Sequence, residues 1–144
     1  MTSKNDKWIK ALGIKREKIP VLIIGNNPIE MTQVFNLLVS NSSKNYIAEV
    51  CFNIKDSFNS ISKQRPEVIL IDDNLPGAEI DKLVKVLKKN ARNRDIRVIV
   101  LKSTNLNYDV IDNVDDYMLK DTISSSLLDR LIDRNVHRLE PQYA

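Results

Sequence analysis

The sequence has little of what most site chemistries require. Among its 144 residues there is one cysteine and one histidine. Cys51 alone can form neither an internal disulfide nor a cysteine-based zinc site. It reads as a buried strand residue, because a free thiol packs as a small hydrophobe. His137 alone builds no metal site, and its place near the end of the last predicted helix suits a cation at a helix C-terminus. Glycine is scarce, at 3 residues, so the phosphate-cradling loops that need glycine and hydroxyls in a cluster are missing. No apolar run approaches the ~20 residues of a membrane span. The polar stretch from Met1 to Lys10 has no signal core, and these absences together point to the cytoplasm. An excess of one charge is also lacking. Lys and Arg number 22 against 19 Asp and Glu, a net charge of +3, too little to imply nucleic acid.

What is present is an ordered alternation. Val21-Leu22-Ile23-Ile24 is all apolar and stops at Gly25-Asn26-Asn27-Pro28, the pattern of a strand buried on both faces in a parallel sheet. After Pro28, suited to a helix start by its missing N–H, Ile29, Val34, Leu37 and Leu38 keep a helical period. Tyr46 to Phe52 alternates as a second strand. Phe58 and Ile61 mark a second helix that Pro66 ends. Val68-Ile69-Leu70-Ile71 repeats the first pattern and stops at Asp72-Asp73-Asn74-Leu75-Pro76-Gly77. A strong helix follows over about 78–90. Its Leu83, Val84, Val86 and Leu87 interleave with Lys82, Lys85, Lys88, Lys89, Arg92 and Arg94, which read as a solvated face. Ile96 to Leu101 is a fourth strand, Tyr108 to Asp112 a weak helix, and Val114 to Leu119 a fifth strand. The last helix runs from Thr122 to about Arg138, with Thr122 or Asp121 as its cap and Leu127, Leu128, Leu131 and Ile132 as its buried face.

Five strand–helix units predict an α/β fold, a doubly wound five-stranded parallel sheet with helices on both faces. Ligands of such sheets sit beyond the carboxyl ends of the strands. Those ends carry Gly25-Asn26, Asp72, Lys102-Ser103 and Lys120. Residues 19–138 form the predicted domain, 139–144 a tail or linker, and 1–18 an extension in which Trp8, Ile9 and Leu12 could line a short amphipathic helix over Lys4 to Ile14. No helix-turn-helix unit remains, which argues against DNA binding by this chain alone.

Three segments in order resemble the receiver domains of two-component response regulators. They are Val21-Leu22-Ile23-Ile24 with Asn27-Pro28, then Pro66 to Gly77, then Val114-Asp115-Asp116-Tyr117-Met118-Leu119-Lys120-Asp121. The resemblance covers about Ile19 to Arg138. It implies a sheet order of 2-1-3-4-5, Asp72 as phosphoacceptor, Lys120 as the lysine contacting acceptor and phosphoryl group, and Tyr117 as switch aromatic or part-buried packing residue. It also implies partners: a histidine kinase or an output or regulatory protein, and a homodimer through the fourth helix, fifth strand and fifth helix.

The chain departs from this pattern in ways that matter chemically. A carboxylate attacking a phosphoryl group needs Mg²⁺ to offset repulsion, and Mg²⁺ takes oxygen ligands including one or two carboxylates. The acidic pair expected after the first strand is here Gly25 and Asn26. A metal site then retains Asp72 and a backbone carbonyl, that of Asn74, so Mg²⁺ is expected to bind weakly or not at all. The hydroxyl position after the fourth strand is Lys102, although a one-residue slip presents Ser103 or Thr104. With two carboxylates gone and a lysine gained, Asp72 is expected between Lys102 and Lys120. The segment between those lysines is also shorter than the pattern by about one helical turn. The resulting expectation is a non-enzymatic signalling module acting by protein contact, with phosphorylation of Asp72 weak or lost. Two alternatives stand beside it: a conventional receiver phosphorylated on Asp72, and a flavodoxin-like cofactor binder.

Overall fold

The computed structural model describes residues 18–40, 45–103 and 113–136. The expected helices over Lys4 to Ile14 and Tyr108 to Asp112, together with Thr104 and His137, lie outside them. The described elements are β1 (Ile19–Ile24), α1 (Pro28–Val39), β2 (Tyr46–Cys51), α2 (Ile54–Gln64), β3 (Val68–Asp72), α3 (Gly77–Lys89), β4 (Arg97–Lys102), β5 (Asp116–Leu119), a 3-10 turn (Lys120–Thr122) and α4 (Ser125–Val136). The five strands form one parallel sheet in the order β2-β1-β3-β4-β5. This is the doubly wound order with the sheet covered on both faces, as the apolar runs imply.

Strand alternation divides the core in two. Leu22, Ile24, Ile69, Ile71, Val98 and Val100 pack beneath α2 and α3 with Ile80, Leu83, Val84 and Leu87. Val21, Ile23, Val68, Leu70, Ile99 and Leu101 pack beneath α1 and α4 with Met31, Val34, Leu38, Leu128 and Ile132. The side chain of every strand residue is committed to one of these faces, and the site inherits that commitment.

Several local expectations are corrected. In α1 the Asn27 side chain caps the helix by accepting from the Ile29 and Glu30 N–H groups. Ile29 is not on the buried face: it is 73% exposed, and Met31 takes the inward position. Within α3, Leu83, Val84 and Leu87 are buried while Val86 is exposed among the lysines. β5 starts at Asp116 rather than Val114. The cap of α4 is Ser124, whose Oγ accepts from Leu127 N; Thr122 is consumed by the 3-10 turn and donates to Leu119 O. Leu127 is exposed, and Asn135 joins Leu128, Leu131 and Ile132 on the buried face. Cys51 is buried, with Sγ 3.1 Å from Ser60 Oγ.

Carboxylates fasten the short outer strand. Asp115 accepts from Val98 N at 2.8 Å and from Arg97 at 3.2 Å. Asp116 accepts from Arg134, from Asn135 Nδ2 at 3.0 Å and from its own neighbour Tyr117 N. At the opposite edge the buried Tyr46 hydroxyl of β2 donates to Asp129 of α4, and burial, with that carboxylate, pushes the phenol well above its ordinary value. Burial would raise the Asp116 carboxyl, but the hydrogen bonds from Arg134 and Asn135 outweigh it and hold the group below its ordinary value. A carboxyl lowered on folding stabilises above its unfolded value and loses that contribution as pH falls through the folded one. Asp116→Asn is therefore expected to cost ~1 kcal/mol at pH 7. In thermal unfolding across pH, the gap from wild type should close on acidification below the carboxylate range; a gap independent of pH would contradict this role.

Candidate functional site

The carboxyl edge of the sheet gathers the residues singled out from sequence. Asp72 ends β3, the central strand, on the face of α1 and α4, and none of its surface is exposed. Lys120 leaves β5 on the same face. Its Nζ lies 3.0 Å from Asp72 Oδ1 and 3.2 Å from Oδ2. Asn74 N donates to Asp72 Oδ1 at 2.9 Å, so both carboxylate oxygens are engaged. Burial is the largest influence on Asp72 and pushes its carboxyl above the ordinary value, against the Asn74 and Lys120 hydrogen bonds. Burial would lower Lys120, but its carboxylate partners outweigh it and hold the ammonium above the ordinary lysine value.

A second carboxylate completes the cluster. Glu30, in the first turn of α1, places Oε2 3.0 Å from Lys120 Nζ. The lysine thus sits between Asp72, fully buried, and Glu30, whose side chain is 39% exposed. The sequence reading missed Glu30; the available signal was its place three residues after the capping Asn27, which turns it toward the strand ends. Glu30, Lys120, Asn74 and Ser103 border a cleft of about 530 Å³, with Met31 and Ile123 among its apolar walls.

Lys102 does not flank Asp72 as expected. Asp72 pairs with Leu101 across β3 and β4, so Lys102, the next residue, leaves on the opposite face. Its Nζ stands 5.3 Å from the ring centroid of Tyr117, which shares that face through its pairing with Val100 and is 38% exposed. The cation beside Asp72 is Lys120. Ser103, one residue on, is turned to the β3 side, where its Oγ donates to Asp73 Oδ1 at 2.7 Å.

Gly25 and Asn26 follow β1, and Gly25 lies buried beside Asp72 while Asn26 is exposed. A Cβ on Gly25 would fall 2.3 Å from Met31 Sδ and 3.0 Å from Asp72 Cβ. The Met31 thioether fills the space that a side chain from the first acidic position would occupy. Among the described residues no group of three or more His, Cys, Asp and Glu is placed to hold a metal ion. The donors do not fit Mg²⁺, which demands near-octahedral oxygen ligands: Asp72 is occupied by an ammonium and an N–H, and a thioether stands where a carboxylate would be.

No family model and no curated protein matches the sequence. Solved structures do match. The receiver domain of a sensor histidine kinase from Pseudomonas aeruginosa PAO1, with a magnesium ion coordinated in its active site cleft, superposes with a TM-score of 0.70 at 21% identity, covering 83% of this chain and 98% of that one. The chain has the receiver fold. The signal receiver domain of a signal transduction histidine kinase from Syntrophus aciditrophicus gives a TM-score of 0.70 at 22% identity over 87% of this chain and 95% of that one. A chemotaxis response regulator of Vibrio cholerae gives 0.70 at 15% identity over 83% and 99%.

Two predictions follow from this packing. Gly25→Ala is expected to cost about 1–3 kcal/mol by overpacking and clearly less in a Met31→Ala background, where only the 3.0 Å approach to Asp72 Cβ remains; equal costs in both, by denaturant titration, would clear Met31 as the obstacle. Lys120→Met strips Asp72 of its counter-charge and is expected to cost about 3–5 kcal/mol at pH 7. Its carboxyl is then raised further on folding, so the variant should recover stability as pH falls through that raised value toward the ordinary carboxylate range. Equal loss at pH 5 and pH 8 would contradict this.

Proposed function

We propose that this chain is a signalling receiver that acts mainly by protein contact, with phosphorylation of Asp72 weak or lost. One observation carries the reading: both Asp72 oxygens are already bonded, to Lys120 and to Asn74 N, while Met31 fills the space beside Gly25. A nucleophilic carboxylate must present a free oxygen in line with the phosphorus, and its charge must be offset from the donor's. Here the offsetting charge is internal and permanent. Mg²⁺ binds weakly or not at all, and the chain carries no enzymatic activity of its own. Its partners are a histidine kinase or an output or regulatory protein met in the cytoplasm, and a second copy can pair through the segment expected as the fourth helix, β5 and α4.

A conventional phosphorylated receiver is the second reading, and the Asp72–Lys120 contact itself favours it, since the same ammonium can neutralise a transferred phosphoryl group. A flavodoxin-like cofactor binder draws no support from the turn after β1, which offers Gly25 and no hydroxyl. Mass spectrometry after incubation with acetyl phosphate and Mg²⁺ separates the first two. The contact-only receiver gives no adduct on the folded wild type. An adduct on wild type that is absent from Asp72→Asn would overturn it in favour of the conventional one.

A further inference from the structure

A hydroxyl that borders the cleft, that of Ser103, is held by a carboxylate other than Asp72. Asp73 follows the end of β3, and its N–H donates to Leu101 O of β4 at 3.0 Å. Its side chain continues the link: Oδ2 accepts from Ser103 N at 3.1 Å and Oδ1 from Ser103 Oγ at 2.7 Å. Asn74 Oδ1 lies 3.5 Å from the same Oγ. Three hydrogen bonds from one residue therefore tie the exit of β3 to the exit of β4. Hydrogen bonds to an ionised acceptor are stronger than neutral ones, and the paired use of both oxygens fixes direction as well as distance.

We propose that Asp73 is the positioning residue that sets the path of the chain out of β4, by holding the Ser103 backbone and hydroxyl on its own carboxylate whatever the state of Asp72. A hydroxyl that is to follow a phosphoryl group must be able to change acceptors. Here the Ser103 Oγ already has a charged one, and the oxygens of Asp72 are taken by Lys120 and Asn74 N. The β4 exit is thus set from within the chain.

Amide hydrogen exchange by NMR on the full chain tests this directly at Ser103. In Asp73→Ala, exchange at Ser103 is expected about tenfold faster than in wild type, with the amides of Val98 to Leu101 unchanged. Asp73→Asn, which keeps one weaker acceptor, should fall between the two, and Asp72→Asn should leave Ser103 as in wild type. Unaltered exchange at Ser103 in Asp73→Ala would overturn the proposal, as would an equal acceleration in Asp72→Asn. If Asp73→Ala does not fold, Asp73→Asn decides on the same criterion. A phosphoryl adduct on Asp72 would sink the functional reading without altering these rates, so the two failures are distinguishable.

Discussion

A carboxylate with no exposed surface stands at the end of the central strand, and an ammonium from the outermost strand's exit reaches it across the sheet edge. Removing a carboxylate from water is costly unless it is paired and hydrogen-bonded. Lys120 and Asn74 N meet that demand, and much of the surrounding arrangement follows from it. β5 must be near enough to deliver Lys120, which is why its short run is fastened by Asp115 and Asp116 rather than by length. Lys120 must itself be oriented, and Glu30 from the first turn of α1 supplies the second anchor. Gly25 must be small, because Met31 and Asp72 already occupy the space above it.

Carboxylates reach this edge by a route other than the turn after β1. The turn after β1 brings no carboxylate, yet Glu30 and Asp73 bring two from other directions, one to the ammonium and one to the hydroxyl. The neighbouring structures share the fold at 15% to 22% identity, a level that speaks for the backbone and not for the groups at its edge. The chemistry of this edge therefore has to be read from its own contacts, and fold alone does not supply it.

The sheet was legible in the sequence because its strands are buried on both faces: Val21 to Ile24 and Val68 to Ile71 allow no other reading at that length. Asp72 and Lys120 were legible for a related reason, since parallel strands deliver their ends to one edge. What was not legible is which face each end-residue takes. Lys102 and Ser103 are adjacent in sequence and leave on opposite sides, and only the pairing of Asp72 with Leu101 decides between them. Ile29 and Met31 were exchanged for the same kind of reason, as helix rotation depends on the Asn27 cap. The start of α4 was missed because the 3-10 turn before it has no apolar period to betray it.

The bond from Tyr46 to Asp129 joins residues 83 apart in sequence. Closing so long a segment costs chain entropy before any contact repays it, and long-range pairings slow folding. During synthesis from the N-terminus, β2 can pair with β1 well before α4 exists, but its buried phenol then has no acceptor. The phenol of this edge strand is satisfied only once α4 has been made, so a chain cut before α4 should show a defect at β2 as well as at β5, where Asp116 loses Arg134 and Asn135.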